Sequence, residues 1–218
     1  MGVAMSSMVF KPPPKSNRKK DKFIYIPAQP EHDIEYIHEA FGSADNPAIE
    51  ENIMLLYSWL SNDDYEIPIV FLQRNDAKIT ILYSHGSTVD LGGVYSRVKE
   101  LSELLHANVL AYEYTGYGYS VPKHAVPSEK MCYRNIQSAY DYLTQDLGIP
   151  HWKIVLYGRS LGSGPSCYLA KKTADEGESV AGLILHSPFL SINRIVIDSE
   201  VNLVGDMFNN KSRAKDVR

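Results

Sequence analysis

The sequence predicts an α/β fold in which a mostly parallel, doubly wound sheet is entered through antiparallel strands. Three observations carry this expectation. From Phe23 to Leu72, short apolar stretches (FIYI, IEYI, NIMLLYSWL and IPIVFL) alternate with turn residues, the pattern of an antiparallel strand set. After Asn75-Asp76, buried-strand runs alternate with segments whose apolar residues recur at helical spacing. With 218 residues, 44% hydrophobic and 22% charged, the chain can bury one sizeable core but has little room for two.

Residues 1–22 join Pro12, Pro13 and Pro14 to a basic cluster and hold few large apolar groups, so the expectation is a flexible tail preceding a domain over 23–218. The run ITILYSHG (79–86) reads as a buried strand ending in a glycine turn. VYSRVKELSELLH (94–106) reads as an amphipathic helix and NVLAYEY (108–114) as the next strand. A turn at Gly116 and Gly118 leads to a helix over 128–146, with Ser128 as its candidate N-cap. KIVLYG (153–158) is a strand, 161–173 a helix, and VAGLILHS (180–187) a further strand. Four strands alternating with three helices imply a parallel sheet with helices on both faces.

Several classes are excluded. No apolar run approaches the roughly 18 to 20 residues that span a bilayer, and the N-terminus lacks the apolar core of a secretory signal, so a cytosolic chain is expected. Cys132 and Cys167 both fall in predicted helices, with neither a disulfide framework nor metal-ligand spacing. Buried thiols are expected, and the reading as a whole implies no metal or organic cofactor. The net charge of -4 hides an asymmetry, since residues 1–22 carry +5 and the remainder -9. An acidic body argues against nucleic acid, whereas a short basic arm suits an anionic membrane surface.

The segment that carries chemistry is Gly158-Arg159-Ser160-Leu161-Gly162, a G-x-S-x-G match placed between a predicted strand and a predicted helix. A nucleophilic serine there must stand on a sharp turn with its Oγ projecting from the sheet, and flanking glycines avoid the Cβ clashes of so tight a backbone. By composition alone such a match arises in roughly one in fifteen chains of this size. Here it coincides with His85-Gly86-Ser87 at the end of the ITILYS strand, where this kind of site takes its other oxyanion donor. Ser160 is therefore the expected nucleophile, with the backbone N–H groups of Ser87 and Leu161 as the oxyanion hole and Gly158 and Gly162 as the elbow glycines. The bland alternative for Ser160 is a plain helix N-cap. For Tyr112, Tyr114, Tyr117 and Tyr119 core and turn roles are expected, and for His85 a turn-packing role.

Four blocks, ILYSHGSTVDLGG (81–93), YEYTGYGYS (112–120), IVLYGRSLGSGPS (154–166) and LILHSPFLS (183–191), resemble the α/β-hydrolase-domain proteins, and most closely their membrane-associated protein depalmitoylase branch. The resemblance covers about residues 30–210. It implies the α/β-hydrolase fold and hydrolysis of an ester or thioester between a fatty acyl group and a protein cysteine. Two positions depart from the branch: Ser87 stands where asparagine is usual, and the tail lacks the cysteine cluster that animal members carry for their own palmitoylation.

The fold orders its triad Ser, then Asp or Glu, then His. After Ser160 the only histidine is His186, in the strand block where the resemblance places a non-catalytic one. Between them, Asp175, Glu176 and Glu178 read as a surface loop. Asp198, Asp206 and Asp216 come too early for the acid by the same resemblance, and the next strand should begin where Lys215-Asp216-Val217-Arg218 stands. The expectation is a domain incomplete at its C-terminus, weak in catalysis because the serine has no imidazole. At the other end, Met1-Gly2-Val3-Ala4-Met5-Ser6 fits M-G-x-x-x-[ST], the signal for myristoylation of Gly2. One acyl chain anchors only marginally, and the adjacent basic cluster would be the second signal.

The sequence thus points to a serine hydrolase of acyl (thio)esters, peripheral on the cytosolic face of the plasma membrane or endomembranes, acting on S-acylated proteins or acyl esters. The alternatives are a general esterase or serine peptidase of the same fold, and a catalytically inactive module that binds acyl chains or partners.

Overall fold

In the computed structural model the described residues are 9–10, 12–14, 23–27, 66–120, 126–192 and 207–215. They form six strands and four α-helices: β1 Ile24–Pro27, β2 Glu66–Leu72, β3 Thr80–Ser84, α1 Leu91–Leu105, β4 Asn108–Tyr112, α2 Glu129–Asp141, β5 Ile154–Arg159, α3 Ser163–Asp175, β6 Gly182–His186 and α4 Asn210–Lys215. The strands make one sheet in the order β1-β2-β4-β3-β5-β6. β1, β2 and β4 pair antiparallel, and every other pairing is parallel. This is the α/β-hydrolase architecture, with the antiparallel entry and parallel body that the apolar runs predicted. IEYI and NIMLLYSWL lie outside the described residues.

Chain connectivity places the site. From β3 the chain crosses through α1 to β4 on one side, then passes back over β3 through α2 to β5 on the other. The carboxyl ends of β3 and β5 therefore flank the point where the winding reverses, which in open α/β sheets is where ligands bind. Helix α1 packs on one face of the sheet, where Val70, Leu72, Ile81, Tyr83 and Val98 are buried. Helices α2 and α3 cover the other, over Leu82, Leu110, Tyr112, Ile136, Leu156 and Leu169. Each such side chain contributes about 1.5–3 kcal/mol by leaving water.

Element ends differ from the sequence reading where side chains cap the backbone. Helix α1 starts at Leu91 rather than 94, because the Asp90 side chain accepts the Gly93 N–H at 2.8 Å and stabilises an extra turn. Ser128 caps α2 as expected, accepting the Met131 N–H at 3.2 Å. The helix read over 128–146 is α-helical only to Asp141 and continues as a π-helical turn over Tyr142–Asp146. The strand expected over 108–114 ends at Tyr112, since Glu113 and Tyr114 turn away to bond the neighbouring loop. Both thiols are buried. Burial pushes the Cys167 thiol up to about 11, and burial with the Glu129 carboxylate nearby raises Cys132 further.

One part of the expected flexible tail is packed. Phe10 is only 5% exposed and its ring centroid lies 6.2 Å from that of Phe208, in the core under α2 and α3. A buried aromatic ring contributes about 2 kcal/mol, which offsets the ordering of a residue or two and no more. Composition averaged over the segment hides one residue of this kind. Gly2 and the cations Lys11, Lys15, Arg18, Lys19, Lys20 and Lys22 lie outside the described residues.

Candidate active site

Strand β5 ends at Arg159 and the chain turns through a single 3-10 turn, Ser160–Gly162, into α3. Ser160 adopts φ +50, a left-handed conformation that costs an L-residue about 1–2 kcal/mol, and it is exposed at the end of a strand whose Ile154, Leu156 and Gly158 are buried. The glycines around it are obligatory for packing. A Cβ on Gly158 would stand 2.5 Å from the Gly162 carbonyl oxygen and 2.8 Å from Ser163 Cα. A Cβ on Gly162 would collide with the Ser84 carbonyl oxygen and stand 2.5 Å from its carbon. The turn is thereby pressed against the end of β3. Ser163 Oγ donates to the Ser160 carbonyl at 2.7 Å, and Asn210 Nδ2 of α4 donates to Ser163 Oγ at 3.1 Å, so the C-terminal helix is linked to the elbow.

The second strand end meets the first. β3 and β5 pair in register with Ser84 opposite Gly158, which brings the His85-Gly86-Ser87 turn alongside Ser160. A Cβ built on Gly86 would lie 3.6 Å from Ser160 Cβ. The expected oxyanion donors, the N–H groups of Ser87 and Leu161, thus sit on adjacent turns at one end of the sheet, with Ser87 half-buried and Leu161 3% exposed. Beneath them Ser166 Oγ donates to Ser84 Oγ at 3.2 Å, and Ser84 shares a 2.8 Å bond with the Tyr112 hydroxyl. Burial keeps the Tyr112 and Tyr114 phenols protonated far above their usual range.

The four described histidines of the seven in the chain are engaged away from Ser160. His85 is fully buried between Glu113 and the Gly86 carbonyl, a turn-packing group. His106 bonds Asp76, and His151 the Ser179 carbonyl. His186 pairs in register with Arg159 but its Nδ1 faces the Tyr157 hydroxyl at 3.0 Å. Asp175 bonds Lys171 on the outer surface of α3 and Glu176 follows it, as expected of solvated carboxylates. Asp198, Asp206 and Asp216 lie outside the described residues. Tyr112, Tyr114 and Tyr117 are core groups, and Tyr119 packs against Phe23.

Two features escaped the sequence reading. Glu113 is a buried acceptor bound to three donors, and Asn210 joins α4 to the elbow. A lone acid inside the apolar run NVLAYEY was the available signal for the first, because a carboxylate so placed must be paired. Nothing in the local sequence marks Asn210.

An exposed residue on a left-handed strand-to-helix turn, beside a second loop at the switch point of a mixed sheet, defines the architecture of the α/β hydrolases. The chain belongs to that family. The family model described as "Serine aminopeptidase, S33" matches residues 75–217. Among relatives, α/β-hydrolase domain-containing protein aho-3 of Caenorhabditis elegans is 42% identical over 120 residues, 55% of this chain and 34% of the worm protein. α/β-Hydrolase domain-containing protein 17B of Xenopus tropicalis is 31% identical over 211 residues, 91% of this chain and 70% of its own length. A crystal structure of an α/β hydrolase from Vibrio vulnificus superposes with a TM-score of 0.59 at 25% identity, covering 70% of this chain and 56% of that one. The chain therefore spans about a third of the worm relative and about half of the bacterial structure. Among the described residues no helix is long and apolar enough to cross a membrane.

Proposed function

We propose that the protein is a serine hydrolase of acyl esters and thioesters, with Ser160 as nucleophile, and that its substrates are S-acylated proteins at a membrane surface. The observation that carries the serine assignment is Ser160 itself, exposed on a strained turn between two glycines that tolerate no Cβ, against the loop that follows β3. Strain at an exposed polar residue persists where the surrounding structure over-determines it, as functional sites do. In the proposed reaction Ser160 Oγ attacks the thioester carbonyl and its proton passes to a general base. The oxyanion is met by the Ser87 and Leu161 N–H groups, the cysteine thiol leaves, and water then releases the fatty acid.

The choice of an acyl-protein substrate rests on the four sequence blocks that resemble the depalmitoylase branch, while the likeness to 17B over 91% of this chain supports the hydrolase family. The basic tail and Gly2 would hold the protein at an anionic cytosolic leaflet, where such substrates sit. Incubation of the full-length protein with a fluorophosphonate probe, followed by mass mapping, tests the first half of this proposal. A single adduct on Ser160 is expected. If the folded protein stays unmodified there, the enzyme reading fails and a module that binds acyl chains becomes the better account. Release of palmitate from a palmitoylated peptide, compared with a plain short-chain ester, tests the second half.

A further inference from the structure

The block YEYTGYGYS is unexplained by the nucleophile alone, yet its residues converge on the oxyanion turn. Glu113, 1% exposed, accepts the Leu91 N–H at 2.7 Å through Oε2. Its Oε1 accepts the Tyr114 N–H at 3.1 Å and faces His85 Nε2 at 3.0 Å. The other ring nitrogen, His85 Nδ1, lies 2.9 Å from the Gly86 carbonyl oxygen. A carbonyl oxygen and a carboxylate only accept, so in these two contacts Nδ1 and Nε2 each act as the donor. Tyr114 donates its hydroxyl to the His85 carbonyl at 2.7 Å, and its ring lies 4.2 Å from the imidazole. Gly118, at φ +50, passes so close that a Cβ would collide with Glu113 Oε2, which closes the brace from the far side.

These bonds fix two successive carbonyls, those of His85 and Gly86. The second matters for chemistry, because the peptide unit is planar and trans: the Gly86 C=O and the Ser87 N–H share one rigid plane and point opposite ways. A donor that holds the Gly86 oxygen therefore aims the Ser87 N–H. We infer that His85, held by Glu113 and Tyr114, is the positioning residue that aims the Ser87 N–H at the oxyanion, while touching no reacting atom itself. The inference rests on the serine-hydrolase reading above. A donor in an oxyanion hole acts only in the transition state, so misaiming it lowers kcat and leaves KM largely unchanged.

The test uses the full-length protein and three substitutions. His85→Phe keeps a ring against Tyr114 but removes the bonds to Gly86 and Glu113, and Tyr114→Phe removes the hydroxyl that donates to the His85 carbonyl and meets the Tyr112 hydroxyl. Ser102→Ala is the stability control: Ser102 is buried and donates to the Ala107 carbonyl at 2.9 Å near the C-terminus of α1, at the end of the sheet where β3 begins and away from the turn. For His85→Phe, the rate of fluorophosphonate capture at Ser160 and kcat on a p-nitrophenyl ester should fall about ten- to a hundredfold with KM changed less than about twofold. Ser102→Ala should lower the melting temperature and leave kcat alone. If His85→Phe retained the wild-type rate, or lost no more than Ser102→Ala did at equal loss of melting temperature, the inference would be overturned. Should His85→Phe not fold, Tyr114→Phe decides: faster hydrogen exchange at the Gly86 and Ser87 amides with a several-fold slower capture is expected, and no change in either refutes it. A wild-type protein that is not captured at Ser160 removes the hydrolase reading and this inference together. Normal wild-type capture with an unaffected His85→Phe variant removes this inference alone.

Discussion

Replacing Gly162 by alanine should weaken both fold and site, and the size of each effect follows from the contacts of the missing Cβ. Gly162 sits at φ -61, ψ -15, an ordinary helical conformation, so alanine brings no backbone strain. Were conformation all that mattered, the change would stabilise by about 0.5–1 kcal/mol. The new Cβ, however, would collide with the Ser84 carbonyl oxygen and lie 2.5 Å from its carbon and 2.8 Å from its Cβ. Ser84 cannot step aside, because it is the last residue of β3, held in register to β5, and its Oγ is bonded to Tyr112. The elbow must move instead, by about 1 Å to restore an ordinary contact. Overpacking of this kind costs about 1–3 kcal/mol, and backbone against backbone belongs at the upper end. A net loss of about 2 kcal/mol lowers the melting temperature of a chain this size by about 4–8 °C. A 1 Å displacement of a reacting group costs about a hundredfold in rate, read as fluorophosphonate capture at Ser160. Gly177→Ala is the comparison: at φ +78 with nothing within 4 Å of its Cβ, it should cost about 1 kcal/mol by strain and leave capture unchanged. A Gly162→Ala protein that melts at or above wild type and is captured at the wild-type rate would refute the packing argument.

Three further outcomes are expected. Ser160→Gly should remove probe capture while raising or preserving the melting temperature, since relief of the strain at φ +50 is worth about 1 kcal/mol; a clear loss of stability would mean the turn is unstrained. Native protein should resist iodoacetamide at pH 8 at Cys132 and Cys167, because both thiols are buried with raised pKa values, and both should react in urea; mass spectrometry showing native alkylation contradicts this. Bonds from Arg74 and then His106 lower the Asp76 carboxyl to about 2, so its contribution to stability is present above the unfolded value near 3.8 and is lost as pH falls through 2. Asp76→Asn should accordingly melt below wild type at pH 6, by a margin that shrinks in high salt and vanishes near pH 2; an equal margin at both pH values would exclude this ionic origin.

Most of the sheet was legible in the sequence because hydrophobic periodicity and turn residues are local signals. The parallel strands begin or end within a few residues of the expected limits, and two of the shifted ends trace to named side-chain bonds. Asp90 lengthens α1, and Glu113 and Tyr114 end β4 early to serve the turn at His85. The candidate nucleophile was legible for the same local reason, since a serine between two glycines, placed between a strand run and a helix run, is itself a short-range pattern. The packing of Phe10 was not, because its partner Phe208 is nearly 200 residues away and composition carries no record of contact.

What the sequence by itself determined is the alternation of strands and helices, the elbow around Ser160 and the glycine turn after β3, all set by steric and hydrophobic rules that act over a few residues. What only the tertiary structure decided is which groups meet. The register of β3 against β5 lays Gly86 beside Ser160, and the end of β4 brings Glu113 under His85. Asn210 reaches the elbow from α4. The physical reason is one of range: periodicity reports which face of an element is buried, but a carboxylate, an imidazole and a peptide carbonyl find one another only after the sheet has placed three strand ends side by side.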